Sequence, residues 1–380
     1  MKPNKDTIFF IFVTLIMGVM VWFGLRQAFD RGVVLGDNVT YPRARVLEVS
    51  YDQTAVDIHG VRRGRQDIVA QILTGPHRGK IVQAHNIIFI NDIVNARPGQ
   101  RLVLFFEYDA THSTYFARVH TYDRATAMYA LVLLFFGLLV AVGGKAGLRS
   151  AFGLVFTFVT ILCLLIPAIA MGAPPAITTL VLSLVIIVVS LIAIMGFAKK
   201  TYVAIAGTAI GIVLCCLFYL IIAYFLNVTG FSLPEMNTLV NIGFAANTRI
   251  AELLFCGILI ASLGAVMDTA VSVASATAEL AQGGKSDFKN LFTKSMRIAR
   301  DCIGSSANTI ILAFTGAYFV TLVLFRLNNF DYHMAINRVD IAIEVLRAIS
   351  ASAALVLCAP ATAIIGSRVY CTNLNRRKLK

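Results

Sequence analysis

The chain alternates between long apolar runs and one region that contains none. Residues 8–25 are apolar and uncharged, residues 27–124 hold no run of that length, and from about residue 125 onward apolar runs follow one another. A helix needs about 20 residues to cross a hydrocarbon core of roughly 30 Å. The pattern predicts an N-terminal transmembrane helix, a domain outside the membrane, and seven further helices, or about eight in all. We place the seven near residues 126–142, 151–171, 175–197, 202–226, 251–280, 303–325 and 340–367.

The region between the first two helices is predicted to be all-β. Residues 45–57 and 66–73 alternate apolar and polar side chains, and residues 101–108 and 114–120 are rich in Val, Leu, Phe and Tyr. Turn formers separate these stretches, which is typical of a small barrel, and we expect an OB-like one. The first run lacks a small-x-small cleavage site and is interpreted as an uncleaved anchor. The predicted division is an anchor (1–26), an extracytoplasmic β domain (27–124), a seven-helix membrane domain (125–368) and a basic cytoplasmic tail (369–380).

Composition supports a membrane protein, and charge gives its orientation. Hydrophobic residues make up 58% of the chain and charged residues 14%, against about half and a quarter in soluble domains. The net charge of +13 does not indicate nucleic acid binding, because the charge is distributed by connector. Sixteen Lys and Arg lie in the N-terminus and every second connector after it, and the intervening connectors that follow the β domain hold only three. This positive-inside pattern predicts a cytoplasmic-membrane protein with both termini in the cytoplasm. The long connector 227–250 is predicted to be re-entrant or interfacial.

No pattern indicates a cofactor, a metal site or an enzyme. None of the seven cysteines lies in residues 27–124, and none forms a zinc-type spacing with histidine. Asp268 and Asp301 resemble the paired aspartates of an intramembrane protease, but Asp301 is expected at a helix end beside Arg300. Acid and base must be in mutual reach for catalysis, so an enzyme is not expected.

The sixth predicted transmembrane helix, counted from the N-terminal one, carries the clearest candidate chemistry. Asp268 lies near its middle, where an isolated carboxylate costs about 2.5–3.5 kcal/mol on insertion scales. Helical spacing predicts a face of small and polar residues around Asp268 and a lipid-facing side of Leu, Ile and Val. The other members of the small and polar face are Gly257, Ala261, Gly264, Ser272, Ser275 and Glu279.

The last two segments carry matching polar positions. Asp301, Ser305, Asn308 and Thr315 share one helical face, and so do Asp340, Glu344 and Arg347 in the final segment. Glu344 and Arg347 are three residues apart and can pair. Pro360 interrupts the hydrogen bonding of that helix. Gly207 and Gly211, in the fourth segment of the bundle, form a helix-packing motif.

Two interpretations of the polar faces stay open. In the first they line an internal path, with Asp268 binding a proton or a cation. In the second they are interhelical contacts worth under about 1 kcal/mol per hydrogen bond.

These segments resemble the YibE/F-like membrane proteins. Residues 263–280 read Gly-Ala-x-x-Asp followed by small residues, residues 300–318 carry Arg-Asp-x-x-Gly and Asn-Thr, and residues 341–364 carry Glu, Arg and Pro in the family's order. The resemblance extends over nearly the whole chain, including Gly79, Lys80 and Asn86. It implies a permease without an established substrate, and a paired membrane protein as a possible partner. The positions that match the family are Gly264, Asp268, Ser275, Glu279, Arg300, Asp301, Gly304, Asn308, Thr309, Glu344, Arg347 and Pro360.

The leading hypothesis is a secondary transporter for an unknown small molecule or ion. Asp268, with Ser272, Ser275 and Asn308, would bind the coupling proton or cation, and Glu279 and Asp301 would lie at the cytoplasmic mouth. The alternative is a membrane scaffold that does not transport and whose outer β domain binds an envelope partner.

Overall fold

The computed structural model describes residues 5–30, 39–58, 60–88, 94–109, 114–229, 231, 236–241, 249–283 and 287–378. The chain forms two compact units. One comprises Met1–Asp30 with Val140–Lys380, and the other comprises Arg31–Leu139.

The second unit holds a six-stranded mixed sheet. Its core is built by alternation, since Val46, Ile68, Ala70 and Leu104 point inward while their chain neighbours are more exposed. Four strands lie where the sequence predicts them. The strands are β1 (Val39–Thr40), β2 (Arg43–Val56), β3 (Arg62–Ile72), β4 (Ile81–Ile88), β5 (Arg101–Asp109) and β6 (Thr114–Tyr122).

The sheet contains two strands that the sequence analysis missed, β1 and β4. The order is β1-β5-β2-β3-β4-β6, and β5 also pairs with β6. All pairs are antiparallel except β4 and β6, which run parallel and meet at one described position, His85 opposite Arg118. The β domain between the first two helices is thus confirmed as a mixed sheet, while its closure as an OB-like barrel stays a prediction.

The first unit is helical. Long apolar helices dominate it, and shorter ones connect them. The described helices of the chain are α1 (Lys5–Asp30), α2 (Ala125–Thr160), a π-helical turn (Ile161–Leu165), α3 (Ile166–Ala170), α4 (Pro175–Met195), α5 (Lys199–Leu226), α6 (Met236–Asn241), a 3₁₀ turn (Ile250–Glu252), α7 (Leu253–Gln282), α8 (Phe288–Ala317), α9 (Phe319–Leu327), α10 (Tyr332–Ile336) and α11 (Val339–Lys378).

The helix count differs from the predicted eight. Within the described residues six helices are long and apolar enough to cross a membrane, or seven if α8 and α9, bent by 57°, form one span. The difference lies in Ala125–Ala170, which counts as one 46-residue span although it breaks at Gly144, where φ is 54° and ψ is −131°. The predicted segments 126–142 and 151–171 both fall within it.

Two further predictions concern the C-terminal tail and the connector 227–250. Helix α11 continues to Lys378, so the predicted tail after residue 368 is helical over most of its length. Half of the connector 227–250, predicted to be re-entrant or interfacial, lies outside the described residues.

Helices α5, α7 and α11 pack against one another in the centre of the helical unit. The Gly207–Gly211 motif lies at this contact, as its spacing predicts. A methyl group added at Gly207 would overlap the Thr362 hydroxyl, and one added at Gly211 would overlap Val266 and lie 3.0 Å from Cys358 Cβ. The two glycines therefore let the backbone of α5 approach α7 and α11.

Candidate functional site

The small and polar face of α7 is exposed along its length. Asp268, Ser272 and Glu279 are exposed, as are the small residues beside them, and Ser275 is half-buried. A Cβ added at Gly257 or Gly264 would meet nothing within 4 Å. The predicted grouping on one helical face is therefore confirmed.

The opposite face of α7 is the packed one, which corrects the expected lipid-facing side. Leu259, Val266, Ala270 and Val273 are each at most 1% exposed. They lie on the side of α7 that packs against α4, α5, α8 and α11. The physical reason is that lipid tails and a protein interior are equally apolar, so an aliphatic face packs well against either.

The Asp268 carboxylate has no partner in the described part of the chain. Among the residues that the structure describes, no hydrogen-bond donor and no cation contacts its carboxylate. By contrast, Thr269 and Thr277, on the packed side, donate to the carbonyl oxygens of Ala265 and Val273 at 3.1 and 2.7 Å. The threonine hydroxyls nearer the core thus form hydrogen bonds within α7, whereas the Asp268 carboxylate forms none among the described residues.

The polar residues of α8 are also exposed. Asp301, Ser305, Asn308 and Thr315 lie opposite the side of α8 that buries Ser295, Ala299 and Ile310. Asp301 was expected at a helix end, but α8 begins at Phe288, so Asp301 lies well inside the helix. The physical reason is that the preceding turns are amphipathic and not uniformly apolar, so a search for apolar runs starts the segment too late.

In α11 the predicted pair is formed. Arg347 Nη1 donates to Glu344 Oε1 at 2.7 Å, and both side chains are at least two-thirds buried. Asp340 pairs with Arg338 at 3.0 Å. Pro360 lies inside the helix as expected. Helices α7, α8 and α11 contact one another, but within the described residues no hydrogen bond or ion pair joins the candidate residues of α7 or α8 to the Glu344–Arg347 pair.

A second cluster of polar groups lies in the β domain and was not found from the sequence. Asp67 on β3 accepts hydrogen bonds from Arg65 Nε and Nη2, each at 3.0 Å, and its Oδ1 lies 2.8 Å from His85 Nδ1. Strand alternation places Arg65 and Asp67 on one face, but only the register of β3 with β4 brings His85 opposite Asp67. That register cannot be read from the sequence.

A cleft of about 460 Å³ opens beside this cluster, and residues of β3, β4 and β6 line it. Arg65, His85, Arg118 and His120 line it together with Phe116. The Arg118 guanidinium carbon lies 4.8 Å from the centre of the Phe105 ring. The cleft therefore presents two cations, two imidazoles and an aromatic surface, which suits an anionic ligand.

The hydrogen bonds from Arg65, and then the one from His85, hold the pKa of Asp67 below its usual value, against the opposing effect of burial. A carboxyl with a lowered pKa stabilises the fold above the unfolded Asp value of about 3.9, and that stabilisation is lost as the pH falls through the lower folded pKa. Asp67→Asn should therefore weaken β3 and β4 by about 1–2 kcal/mol at neutral pH.

Hydrogen exchange of β3 and β4 peptides in the full chain measures this effect. The difference between Asp67→Asn and the unchanged protein should shrink as the pH is lowered below about 4. Glu107→Gln, the same change at an exposed position on β5, should leave exchange unaltered. A difference that persists undiminished at acid pH would show that the carboxylate charge is not its source.

No metal centre is visible in the described residues. They contain no group of three or more His, Cys, Asp or Glu side chains placed to hold a metal ion. All seven cysteines are free thiols.

The family comparison covers the chain from α2 into α11. Residues 131–372 match the family described as YibE/F-like protein, which is more than half of the 380 residues. The match contains all eight candidate residues of the membrane helices. The matched range begins after the β domain, so Gly79, Lys80 and Asn86 lie outside it and the wider resemblance stays a prediction. Searches among curated proteins and among solved structures gave no match. The chain is a multi-pass membrane protein that belongs to the YibE/F-like family.

Proposed function

We propose that this chain is a secondary permease in which Asp268 carries the coupling proton or cation. The observation that supports it is the open carboxylate of Asp268 on a membrane-crossing helix, without a partner among the described residues. If Asp268 stabilised the contact between two helices, a hydrogen-bond donor from a neighbouring helix would have to contact its carboxylate. A carboxylate free to gain and lose a cation is what ion coupling requires. We propose transport, and not an enzymatic reaction.

The neighbouring candidates take supporting roles in this proposal. Ser272 lies one turn from Asp268 on the same face of α7, and Ser275 lies about two turns away. Their hydroxyls would solvate the ion. Asn308 would do the same from α8, while Glu279 and Asp301 would lie towards the cytoplasmic mouth. Glu344 and Arg347 neutralise each other and would position α11.

The proposed topology has eight crossings, both termini in the cytoplasm and the β domain on the outer side of the cytoplasmic membrane. Support comes from the length of Ala125–Ala170. Forty-six helical residues span about 69 Å, more than twice a hydrocarbon core of roughly 30 Å. A turn at Gly144 would divide them into two crossings, and the charge distribution among the connectors then follows the positive-inside rule.

For the outer domain we propose an OB-like barrel. The pairings support closure, because β5 pairs with both β2 and β6, and β6 meets β4. With β2–β3 and β3–β4, these pairs connect five strands in a ring.

A second membrane chain is the proposed cover of the exposed face of α7. A bare carboxylate facing lipid costs about 2.5–3.5 kcal/mol, and the small residues beside Asp268 allow another helix to approach closely. The coupling site would then lie between two chains, with a substrate path along the covered face.

Ion flux in vesicles tests the transport proposal. Purified protein is reconstituted in liposomes, and proton, sodium and potassium gradients are imposed in turn, with an ionophore present to relieve charge build-up. At least one gradient should decay faster than in protein-free vesicles. Equal decay for all three ions would overturn the proposal.

The scaffold is the second candidate function, and the basic cleft between β4 and β6 favours it. Arg118 has no acidic partner among the described residues, so its charge is available to an anionic envelope component outside the cell. The same vesicle experiment separates the two functions, since a scaffold gives no flux above the protein-free background.

A further inference from the structure

A groove of about 580 Å³ runs between α1 and the part of α2 that follows Gly144. Phe10 and Thr14 line it from α1, and Leu148, Phe152 and Val155 line it from α2. The rings of Phe10 and Phe152 meet edge to face, with their centres 4.9 Å apart. Most of the wall is therefore apolar, and its volume is within the usual range for ligand sites, about 300–1,000 Å³.

One end of the groove is cationic. Lys145 and Arg149 lie one helical turn apart and both line the groove. Arg149 Nη2 donates to Asp6 Oδ2 at 3.0 Å, which fixes the guanidinium beside the start of α1. Lys145 is exposed and has no acidic partner within the described part of the chain. The end of the groove thus carries one charge more than its own carboxylate can neutralise.

This cationic end lies at the boundary of the membrane spans. Asp6 begins the first span, and Gly196 follows directly after the span Pro175–Met195. A Cβ added at Gly196 would lie 3.9 Å from both Arg149 Nη1 and Asp6 Oδ2, so the two span ends and the ion pair are neighbours. From this level the apolar wall continues along α1 and α2 towards the middle of the spans.

We propose that this groove binds an acidic phospholipid. Its phosphate would lie between Lys145 and Arg149 at the interface, and an acyl chain would follow Phe152 and Val155 inward. The argument is charge complementarity, since an apolar channel with two cations at its interfacial end matches a phospholipid whose headgroup is anionic. A zwitterionic lipid carries its own ammonium group and gains less from Lys145. The proposal does not depend on transport activity.

The test uses the full chain, purified in a neutral detergent and depleted of lipid. Phosphatidylglycerol or phosphatidylcholine is added, bound lipids are counted by native mass spectrometry, and thermal unfolding is followed in parallel. The unchanged protein should retain phosphatidylglycerol and gain stability from it in preference to phosphatidylcholine. Lys145→Gln should weaken phosphatidylglycerol binding about fivefold, the change expected for one basic residue at an anionic surface.

Two comparisons make the result decisive. Lys145→Gln without added lipid should unfold at the same temperature as the unchanged protein, since Lys145 is exposed and has no acidic partner among the described residues. Lys289→Gln removes an exposed lysine on α8 that does not line the groove, and it should bind phosphatidylglycerol normally. Equal binding of both lipids, or equal loss of binding in the two variants, would overturn the proposal.

Discussion

Asp268→Asn is expected to reduce ion flux to the level of protein-free vesicles. An amide is nearly isosteric with a carboxylate but does not take up a proton and attracts a cation far less. The variant keeps the shape of the site and removes the charge that coupling needs. The measurement is the same gradient decay in liposomes, with the ion that the unchanged protein conducts.

Stability should move in the opposite direction to flux. Because the carboxylate has no partner among the described residues, its loss breaks no contact of the chain and removes the cost of an exposed intramembrane acid. Asp268→Asn should therefore unfold at the same temperature as the unchanged protein or a higher one. If Asp268 had a structural role, Asp268→Asn would lose stability and keep the flux that its folded fraction supports.

The matched control is Asp287→Asn. Asp287 is exposed, precedes the first residue of α8, and undergoes the same chemical change outside the membrane spans. Asn is as good as Asp at a helix N-cap, so flux and stability should both stay unchanged. Wild-type flux in Asp268→Asn would remove the carboxylate from the mechanism, even if the chain transports.

The sequence predicts the grouping of the α7 residues but not the direction in which they face. Helical spacing places Gly264, Asp268 and Ser272 together, and the structure agrees. In water the aliphatic face would have to be the buried one. In a bilayer that rule fails, because an aliphatic face is equally stable against lipid or against protein. The direction in which the aliphatic face of α7 points depends on which neighbouring helices offer a close-fitting surface. Here Val266 of α7 packs against Gly211 of α5.

In the β domain, the sequence failed to predict strand β4 for a different reason. Strand β4 was missed because its inward positions include a polar residue, Asn86, among Val82, Ala84 and Ile88. Asn86 Nδ2 donates to Gln66 Oε1 at 2.9 Å and to the Val94 carbonyl. The polar core position is satisfied by residues distant in sequence, so the alternation that reveals the other strands is broken here.

Gly211→Val is expected to destabilise the helical unit by about 2–3 kcal/mol. The added Cβ alone would overlap the Val266 side chain and lie 3.0 Å from Cys358 Cβ and 3.3 Å from its Sγ. Val266 and Cys358 are both fully buried, so neither can move aside into open space. Relief requires α5 to separate from α7 and α11, which gives up the packing at the centre of the unit. Thermal unfolding in detergent and the monodispersity of the purified chain measure the loss.

The smaller change Gly211→Ala separates packing from helix propensity. Propensity alone favours Ala over Gly inside a helix by about 1 kcal/mol, so a chain limited by propensity would gain stability. Close packing predicts a loss instead, because the Cβ itself is the overlapping atom. Gly137 provides the control, since a Cβ added there on α2 meets nothing within 4 Å, and Gly137→Ala should be neutral or stabilising. If Gly211→Ala and Gly137→Ala shift the unfolding temperature equally, the close approach of α5 to α7 and α11 is not what stabilises this unit.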